Sequence, residues 1–447
     1  MRYAGCGGAS DDSEAPPLAF VRPPASRIPR PVHEPMDLEL VTIGTELLLG
    51  FTVDTNSAFA GGELAAAGVR VTRRTAVADD PDAIRSAVAE ALARTGAVLT
   101  TGGLGPTRDD ISKVVVAALY GAPLEFREDV WDRLVERFRR IGREPGPSNR
   151  SQAEMPRGAV ELRNRWGSAP GIWLEGAPGL VVMLPGVPRE MRNLLTHEVL
   201  PRLAQRGGGQ VIRSRTLRTT AIGESILAER MGEIEREIAP LTLAYLPDLG
   251  SVDLRLTAWD LPADEADRRL TDALTLLRVR AGDHAFGEGS TDLAEVVLEA
   301  ARARGATIAT AESCTGGLVC GRLTAIPGSS SVVLGGVIAY ANELKRTALD
   351  VPGSLLEAHG AVSEPVVRAM AEGAARRLGA SLTIAVTGLA GPGGGSAEKP
   401  VGTTWFATSW NGRTDSVKQI LFGERDEVRG RTTQAALYLI WRRLLHG

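Results

Sequence analysis

A serine at a sharp turn is the first residue of this sequence that could do chemistry. The run Thr310-Ala-Glu-Ser-Cys-Thr-Gly-Gly317 follows an apolar stretch typical of a strand and precedes a stretch typical of a helix. Backbone N–H groups at such a turn have no partner within the helix, so they are available to hold an oxyanion or a phosphate above Ser313. Ser313 is therefore a candidate nucleophile.

A nucleophilic serine requires a base, and a lysine fits this sequence better than a histidine. The histidines that follow Ser313 are His359 and His446, and His359 lies near a predicted helix end, where capping or packing is the commoner role. Lys345 follows an apolar strand that ends at Tyr340, and a lysine desolvated there loses its proton near neutral pH. The two residues would form a Ser-Lys dyad. The alternative is that Ser313 caps a helix and Lys345 lies on the surface.

Cys314 is an alternative nucleophile because it is adjacent to Ser313. No base for it is apparent in the sequence, and a buried structural thiol is the commoner role of such a cysteine. The chain has three cysteines, and their spacing resembles neither a disulfide framework nor a zinc site. This cysteine usage favours a reducing, cytoplasmic location.

The elements that would position these residues belong to an α/β domain predicted over residues 288–447. Polar or glycine-rich segments follow three of its strands, so we expect them to form one site. In chain order the sequence predicts a helix ended by Gly305, the strand into Ser313, a helix over 315–325, a strand over 332–340, a helix over 363–378 capped at Ser363, a strand over 382–387, a glycine-rich loop over 388–395, a strand over 403–409 and a final helix.

A second α/β domain is predicted over residues 36–206. Strands over 38–43, 69–77 and 97–101 alternate with helices over 56–67, 81–92 and 108–120, a pattern that indicates a parallel sheet covered by helices on both faces. Asp80 before Pro81 is a predicted N-cap. Ligands of such sheets bind at the carboxyl ends of the strands, so the loops over 44–46, 101–110 and 184–190 are candidates for a ligand site.

Composition places the remaining segments and excludes several classes of protein. Residues 1–35 are rich in proline and lack periodicity, which predicts a disordered tail, and Gly207-Gly-Gly209 predicts a linker to a small α+β module that ends near residue 287.

The net charge of −3 argues against nucleic acid as the main partner. No apolar run approaches the ~18 residues that a membrane span needs, so we expect no membrane association. The predicted fold class is therefore α/β, with two three-layer α/β domains of largely parallel sheets joined by the α+β module.

Six ordered motifs of the last domain resemble the CinA family. They are Ala311-Glu-Ser-Cys-Thr-Gly-Gly317, Tyr340-Ala-Asn-Glu-Leu-Lys345, His359-Gly-Ala-Val-Ser-Glu364, Thr387-Gly-Leu-Ala-Gly-Pro392, Lys399-Pro-Val-Gly402 and Gly423-Glu-Arg-Asp-Glu-Val-Arg429. The resemblance implies a nicotinamide-nucleotide amidase of pyridine-nucleotide salvage, which hydrolyses nicotinamide mononucleotide to nicotinate mononucleotide and ammonia without a cofactor. It implies that Ser313 is the nucleophile, that Lys345 is its base and that Tyr340 assists. The substrate-binding residues that it implies are Thr315, Gly316, Gly317, Asn342, Thr387, Gly388, Gly393, Gly394, Arg425 and Arg429.

The resemblance extends to the first domain, which looks like the molybdopterin-binding-like domain of the family. The motifs are Ile43-Gly-Thr-Glu-Leu-Leu-Leu-Gly50, Gly102-Gly-Leu-Gly-Pro-Thr-Arg-Asp-Asp110, Asn164-Arg-Trp-Gly-Ser-Ala-Pro-Gly171 and Leu184-Pro-Gly-Val-Pro-Arg-Glu-Met191. In some members this domain hydrolyses ADP-ribose to AMP and ribose 5-phosphate with a divalent cation such as magnesium. The nucleotide-site residues that it implies are Glu46, Asp79, Gly102, Gly103, Gly105, Asp109, Asp110 and Glu190, with Asp109 and Asp110 as the metal ligands.

Other interpretations of the first domain stay open at the level of sequence. Asp109 and Asp110 would also favour the N-terminus of the helix that follows them. The family's second strand usually ends in Val-Gly-Asp, whereas this chain has Val77-Ala-Asp79, a departure that bears on the pyrophosphatase activity rather than on the fold. A non-enzymatic, pterin- or nucleotide-binding protein associated with competence is a third hypothesis. The resemblance also implies a KH-like module and a homodimer.

Overall fold

The structure is a computed structural model that describes residues 36–204, 206 and 210–447. The predicted tail over 1–35 and the predicted linker over 207–209 lie outside these residues. The described elements form three successive units, each with its own main sheet and hydrophobic core. Within these ranges no helix has both the length and the apolar character needed to cross a membrane.

The first unit alternates strands and helices. Its strands are β1 (Met36–Ile43), β2 (Val69–Val77), β3 (Ala97–Thr101), β4 (Leu124–Phe126), β5 (Glu154–Pro156), β6 (Val160–Leu162), β7 (Gly171–Gly176) and β8 (Gly179–Leu184). Its helices are α1 (Thr45–Leu48), α2 (Thr55–Ala66), α3 (Pro81–Thr95), α4 (Ser112–Leu119), α5 (Glu128–Arg140), α6 (Pro188–Leu194) and α7 (Leu200–Ala204), with a 3-10 segment at Pro147–Ala153 and a π-helical turn at Leu195–Val199.

The main sheet of the first unit has the strand order β2-β1-β3-β8-β7-β6. Strands β2, β1, β3 and β8 are parallel, and β7 and β6 extend the sheet antiparallel. Neighbouring side chains of β3 point to opposite faces, because Leu99 packs in the core formed with α2 and α6, whereas Val98 packs in the core formed with α3 and α4. The unit therefore has three layers.

The second unit is an antiparallel sheet with helices packed against its core. It contains β9 (Gln210–Thr219), α8 (Glu224–Met231), α9 (Ile234–Glu237), β10 (Thr242–Asp248), β11 (Ser251–Pro262), α10 (Ala263–Ala281) and β12 (Ala285–Glu288), with a 3-10 turn at Gly282–His284 and the strand order β10-β11-β9-β12. The sequence predicted one helix over 224–238. The helix is interrupted at Gly232, whose φ of 58° and ψ of −134° are not helical.

The third unit again places helices on both faces of a sheet. It contains α11 (Leu293–Ala303), β13 (Ile308–Glu312), α12 (Leu318–Thr324), a 3-10 turn (Ser329–Ser331), β14 (Val333–Ile338), α13 (Asn342–Leu349), α14 (Gly353–His359), α15 (Glu364–Leu378), β15 (Leu382–Gly388), β16 (Thr403–Trp410), β17 (Arg413–Ile420) and α16 (Arg425–His446). The strand order is β14-β13-β15-β16-β17, with β14, β13 and β15 parallel and β16 and β17 antiparallel. Cores on the two faces of the sheet make three layers.

The predicted fold class is confirmed, and the differences include several antiparallel strands that were not predicted, two helix starts and one cap. Asp80 is an N-cap as predicted, since its carboxylate accepts N–H groups of the first turn of α3. The helix predicted over 108–120 begins at Ser112, and the helix predicted over 315–325 begins at Leu318. Polar loops occupy the preceding residues in both cases. Ser363 stands at the start of α15, but its hydroxyl donates to the Gly360 carbonyl, 2.8 Å away, and does not cap the helix.

Candidate active site

Ser313 lies at the carboxyl end of β13, the strand between β14 and β15 in the sheet of the third unit. Its N–H group donates to the carbonyl of Val386 in β15 at 3.0 Å, which extends the pairing of β13 and β15 by one bond. Gly316 and Gly317 have φ angles of 61° and 99°, a region that residues with a Cβ atom rarely adopt. These glycines permit the sharp turn that leaves Ser313 at the apex, with 8% of its surface exposed.

The carboxylate of Glu312 occupies the start of the helix after this turn. It accepts hydrogen bonds from the backbone N–H groups of Gly317, Val319 and Cys320 at 2.8–3.1 Å, and from the Thr310 hydroxyl. Glu312 is 1% exposed. The sequence predicted that the N–H groups of the turn, near Cys314 to Gly317, would hold an oxyanion or a phosphate. This expectation was wrong for Gly317, because its N–H group already donates to the buried Glu312. An acidic residue at the end of an apolar strand was the signal that could have revealed this role.

Lys345 of α13 reaches Ser313 through the protein interior. Its Nζ atom lies 3.2 Å from the Ser313 hydroxyl, 2.8 Å from the Ala339 carbonyl and 3.1 Å from the Tyr340 carbonyl, and the side chain is 1% exposed. Burial lowers the pKa of Lys345, since desolvation disfavours the ammonium form. The alternative of a surface lysine is excluded by this burial.

A cavity of about 190 Å³ opens onto the two residues. Its walls contain seven of the predicted site residues, namely Ser313, Tyr340, Asn342, Lys345, Thr387, Gly388 and Arg425, together with Cys314, Ala361, Val362 and Ala390. The other predicted residues of this site, Thr315, Gly316, Gly317, Gly393, Gly394 and Arg429, do not line it. Three strand ends therefore supply the walls, as the loop positions predicted.

Arg425 joins the start of α16 to two other walls of the cavity. One guanidinium nitrogen donates to the carbonyl of Gly391 at 2.6 Å, and another donates to the hydroxyl of Tyr340 at 3.2 Å. Arg429, one turn further along α16, donates to the carbonyl of Thr315 at 3.2 Å. Arg425 thus borders the cavity, whereas Arg429 supports the turn that carries Ser313.

The buried thiol of Cys314 is a poor nucleophile in this environment. Burial raises the pKa of Cys314 to about 12, so at neutral pH the group is a thiol, and the thiolate is the reactive form. The interpretation of Cys314 as a structural residue is therefore favoured over its role as the nucleophile.

A second cavity, of about 340 Å³, lies at the carboxyl ends of the parallel strands of the first unit. All eight residues of the predicted nucleotide site line it: Glu46, Asp79, Gly102, Gly103, Gly105, Asp109, Asp110 and Glu190. Gly102 and Gly103 have φ angles of 110° and 67°, and a Cβ atom at Gly103 would lie 1.9 Å from the Ser112 hydroxyl. Glycines at these positions let backbone form part of the wall.

Two of the acidic residues in this cavity, Asp110 and Asp79, accept hydrogen bonds from backbone N–H groups. Asp110 accepts from the N–H groups of Gly105 and Thr107, at 2.7 and 2.8 Å, and so holds the glycine-rich loop. Asp79 accepts from both the N–H group and the hydroxyl of Thr45, at 2.9 Å each. These contacts replace the helix-capping role considered for Asp110.

Glu190 and Lys113 are titratable groups near the same loop. Burial raises the pKa of Glu190, which accepts a hydrogen bond from Asn164. Burial also lowers the pKa of Lys113 to about 8, and its Nζ donates to the carbonyl of Ser151. Neither Lys113 nor Asn164 was assigned a role from the sequence. Asn164 supports the cavity through its contact with Glu190, whereas Lys113 does not line the cavity.

Metal binding at this cavity would depend on few protein ligands. In the described part of the chain, no three histidine, cysteine or acidic side chains converge as a metal cluster would. Magnesium is commonly held by one or two carboxylates together with substrate phosphates and water. Asp109 borders the cavity and is exposed, so the donor set fits a magnesium ion bound in that way rather than a closed protein cage.

Comparison with known proteins shows the family. Profiles described as CinA C-terminal domain, probable molybdopterin binding domain and damage-inducible protein CinA KH domain match residues 290–444, 39–205 and 214–287. A CinA-like protein of Gemmatimonas aurantiaca is 54% identical over 406 residues, which cover 90% of this chain and 95% of that protein. A putative competence-damage inducible protein of Moorella thermoacetica is 42% identical over 411 residues, covering 92% and 99%. This chain belongs to the CinA family.

Among solved structures, the chain is similar to the competence damage-inducible protein A (ComA) of Klebsiella pneumoniae. The two sequences are 36% identical, and the match covers 35% of this chain and 99% of that chain with a TM-score of 0.34.

Proposed function

We propose that this protein hydrolyses the carboxamide of nicotinamide mononucleotide, with Ser313 as nucleophile and Lys345 as base. The observation that carries the proposal is the 3.2 Å separation of Lys345 Nζ and Ser313 Oγ in a buried cavity. The motifs shared with the CinA family support the choice of a nicotinamide nucleotide and a role in pyridine-nucleotide salvage. The amidase chemistry uses no cofactor.

The surroundings of Lys345 suit a neutral amine. A neutral amine has two N–H bonds and one lone pair, and the carbonyls of Ala339 and Tyr340 can accept both N–H bonds. The lone pair then faces the Ser313 hydroxyl and accepts its proton. Burial lowers the pKa of Lys345 and so raises the fraction of the neutral form.

The reaction proceeds in two halves. Ser313 Oγ attacks the carboxamide carbon as its proton moves to Lys345, and a tetrahedral intermediate forms. The C–N bond breaks while Lys345 returns the proton to the leaving nitrogen, which departs as ammonia. Water then attacks the acyl-enzyme, with Lys345 as base again, and this step releases nicotinate mononucleotide and restores Ser313.

The oxyanion is stabilised by a narrower set of amides than the sequence suggested. Gly317 donates to Glu312, and Gly316 donates to the Ser313 carbonyl. Cys314 borders the cavity, and the backbone N–H of the residue after a nucleophile commonly serves as an oxyanion donor. We therefore assign this role to the Cys314 amide.

The dimensions of the cavity indicate how the substrate binds. Its volume of about 190 Å³ is below the roughly 300–1,000 Å³ usual for ligand pockets, so it holds the carboxamide-bearing ring. The remainder of the nucleotide then extends past Arg425, whose guanidinium pairs with the phosphate. Tyr340, which shares a hydrogen bond with Arg425, assists in positioning this end.

The test is an assay of ammonia and nicotinate mononucleotide released from nicotinamide mononucleotide. Ser313→Ala is expected to lower kcat by at least ~100-fold, whereas Cys314→Ala and Ser329→Ala, a matched buried serine outside the cavity, retain turnover. Normal turnover by Ser313→Ala would reject the nucleophile. Release of ammonia by none of these proteins would reject the substrate.

We infer a second candidate function for the first unit, the hydrolysis of ADP-ribose to AMP and ribose 5-phosphate. The observation that favours it is that the eight predicted residues line a single cavity with glycine backbone in its wall. Asp109 would hold a magnesium ion there, and this ion would supply charge neutralisation for the pyrophosphate. Release of AMP that is abolished by EDTA and restored by magnesium would support it, and AMP release insensitive to EDTA would contradict it.

A further inference from the structure

A groove lined by arginines lies beside the cavity of the first unit. It has a volume of about 430 Å³, and its arginines come from α5 and from the loop after β6. Five arginines line this arginine groove, with two glutamates: Arg133, Arg137, Arg140, Arg163, Arg165, Glu136 and Glu161. Positive charge is thus concentrated in one concavity of a chain whose net charge is −3.

Part of this charge is not neutralised by neighbouring residues. Arg133 pairs with Asp129 and Glu161, and Arg140 pairs with Glu136. Among the described residues, no carboxylate lies within salt-bridge distance of Arg137, Arg163 or Arg165, and Arg137 interacts with the Glu190 carboxylate only at longer range.

Two of the arginines, Arg137 and Arg133, are held in place by contacts within the protein. A guanidinium nitrogen of Arg137 donates to the carbonyl of Arg165 at 3.2 Å, which orients Arg137 and ties the loop to α5. Arg133 is also fixed, but its guanidinium already donates to its two carboxylate partners. An anion that enters the groove would therefore meet an oriented donor in Arg137, and it would lose less affinity to ordering of that side chain.

The arginine groove and the glycine-lined cavity share a wall. Asn164 lines the groove and donates a hydrogen bond to Glu190, which lines the cavity. Gly167 packs so closely on Glu190 that a Cβ atom would lie 1.7 Å from its carboxyl carbon. Ser168 borders both spaces. A ligand of the groove is thus adjacent to the predicted nucleotide site.

We propose that the arginine groove binds the phosphate group of a phosphorylated small molecule. Guanidinium groups form paired hydrogen bonds with phosphate oxygens, which favours arginine over lysine at such sites. The volume of about 430 Å³ lies in the range of small-molecule pockets. A nucleic acid would instead need a basic track along a strand, with aromatic side chains for stacking. The inference depends neither on the amidase nor on cleavage of ADP-ribose.

Calorimetric titration of the full chain with inorganic pyrophosphate tests this assignment. Arg163→Ala/Arg165→Ala removes two exposed lining arginines and is expected to weaken binding at least tenfold. Arg139→Ala is the matched control, because Arg139 is an exposed arginine of α5 that does not line the groove, and it is expected to retain the affinity of the parent protein. Arg137→Lys keeps the positive charge but cannot form the paired hydrogen bonds of a guanidinium group, so an intermediate loss of pyrophosphate affinity is expected.

Failure of the parent protein to bind pyrophosphate would overturn the proposal, as would equal weakening by Arg139→Ala, which would indicate a diffuse surface charge. Binding of a single-stranded RNA oligonucleotide that is tighter than pyrophosphate and lost in Arg163→Ala/Arg165→Ala would replace the small molecule by a nucleic acid. Thermal unfolding midpoints equal to that of the parent would show that the variants remain folded.

Discussion

Glu312 accepts a hydrogen bond from the backbone N–H of Gly317 at 2.9 Å, within a buried cluster directly below the turn that carries Ser313. A carboxylate at this position satisfies the start of α12, which would otherwise be a binding site for anions. Glu312 therefore holds the strand-to-helix turn in place, and the cavity beside Ser313 lies on the side of Lys345.

Glu312→Ala is expected to destabilise the protein. One buried and two part-buried N–H groups would lose their acceptor, and unsatisfied buried groups cost roughly 1–3 kcal/mol each, so we expect a total loss of about 3 kcal/mol after partial relief by water. Urea unfolding measures the change. Glu343→Ala, which removes an exposed glutamate of the same unit, serves as control and is expected to change stability by less than about 0.5 kcal/mol. Equal stabilities of the two variants would contradict the role of Glu312.

The amidase activity is expected to rise with pH through the pKa of Lys345. In the proposed mechanism the neutral amine is the active base. Burial lowers this pKa from its ordinary value of 10.5, so kcat/KM is expected to increase as the ammonium loses its proton and to level off above that pH. Lys345→Arg stays protonated and is expected to lower kcat by about 100- to 10,000-fold. Lys418→Arg, at an exposed lysine, is the control. A profile that falls with rising pH over this range would exclude Lys345 as the base.

Cys314 is expected to resist alkylation in the folded protein. Burial raises the pKa of Cys314 to about 12, and iodoacetamide reacts with the thiolate. At pH 8 the peptide that contains Cys314 should remain unmodified by mass spectrometry until urea unfolds the chain. Labelling of the folded protein at the rate of the unfolded one would show a reactive thiolate and would reopen the alternative nucleophile.

Substitution of Asp110 is expected to affect stability, whereas substitution of Asp109 is expected to affect the magnesium dependence of activity. Asp110→Ala removes the acceptor of two loop N–H groups and is expected to lower the free energy of unfolding by about 1–2 kcal/mol. Asp109→Ala is expected to leave the unfolding midpoint unchanged and to weaken the magnesium dependence of AMP release. Thermal unfolding together with the AMP assay separates the two roles, and the reverse pattern would assign the loop contact to Asp109.

Much of this architecture was predictable from local patterns. The ranges of β2 and β3 agree with the predicted strands, because the residue types of a short strand and the glycine that precedes it are local signals. The starts of α4 and α12 were predicted too early, since the loops before them have side-chain contacts that periodicity does not encode. The antiparallel strands β7, β10 and β17 were not predicted for a related reason. Each is defined by the strand with which it pairs rather than by a pattern in its own residues.

The sequence by itself determined the alternation of strands and helices, the identity of Ser313 and Lys345 as a candidate pair, and the residues expected around each cavity. The tertiary structure decided that the pair meets. Strand β14 lies beside β13 in parallel register, with Ile338 level with Glu312, so the chain that enters α13 starts next to Ser313 although Lys345 is 32 residues away. Sheet order and register follow from packing of the whole unit. For the same reason, the buried contacts of Glu312 and the convergence of α5 with the loop after β6 became visible only in three dimensions.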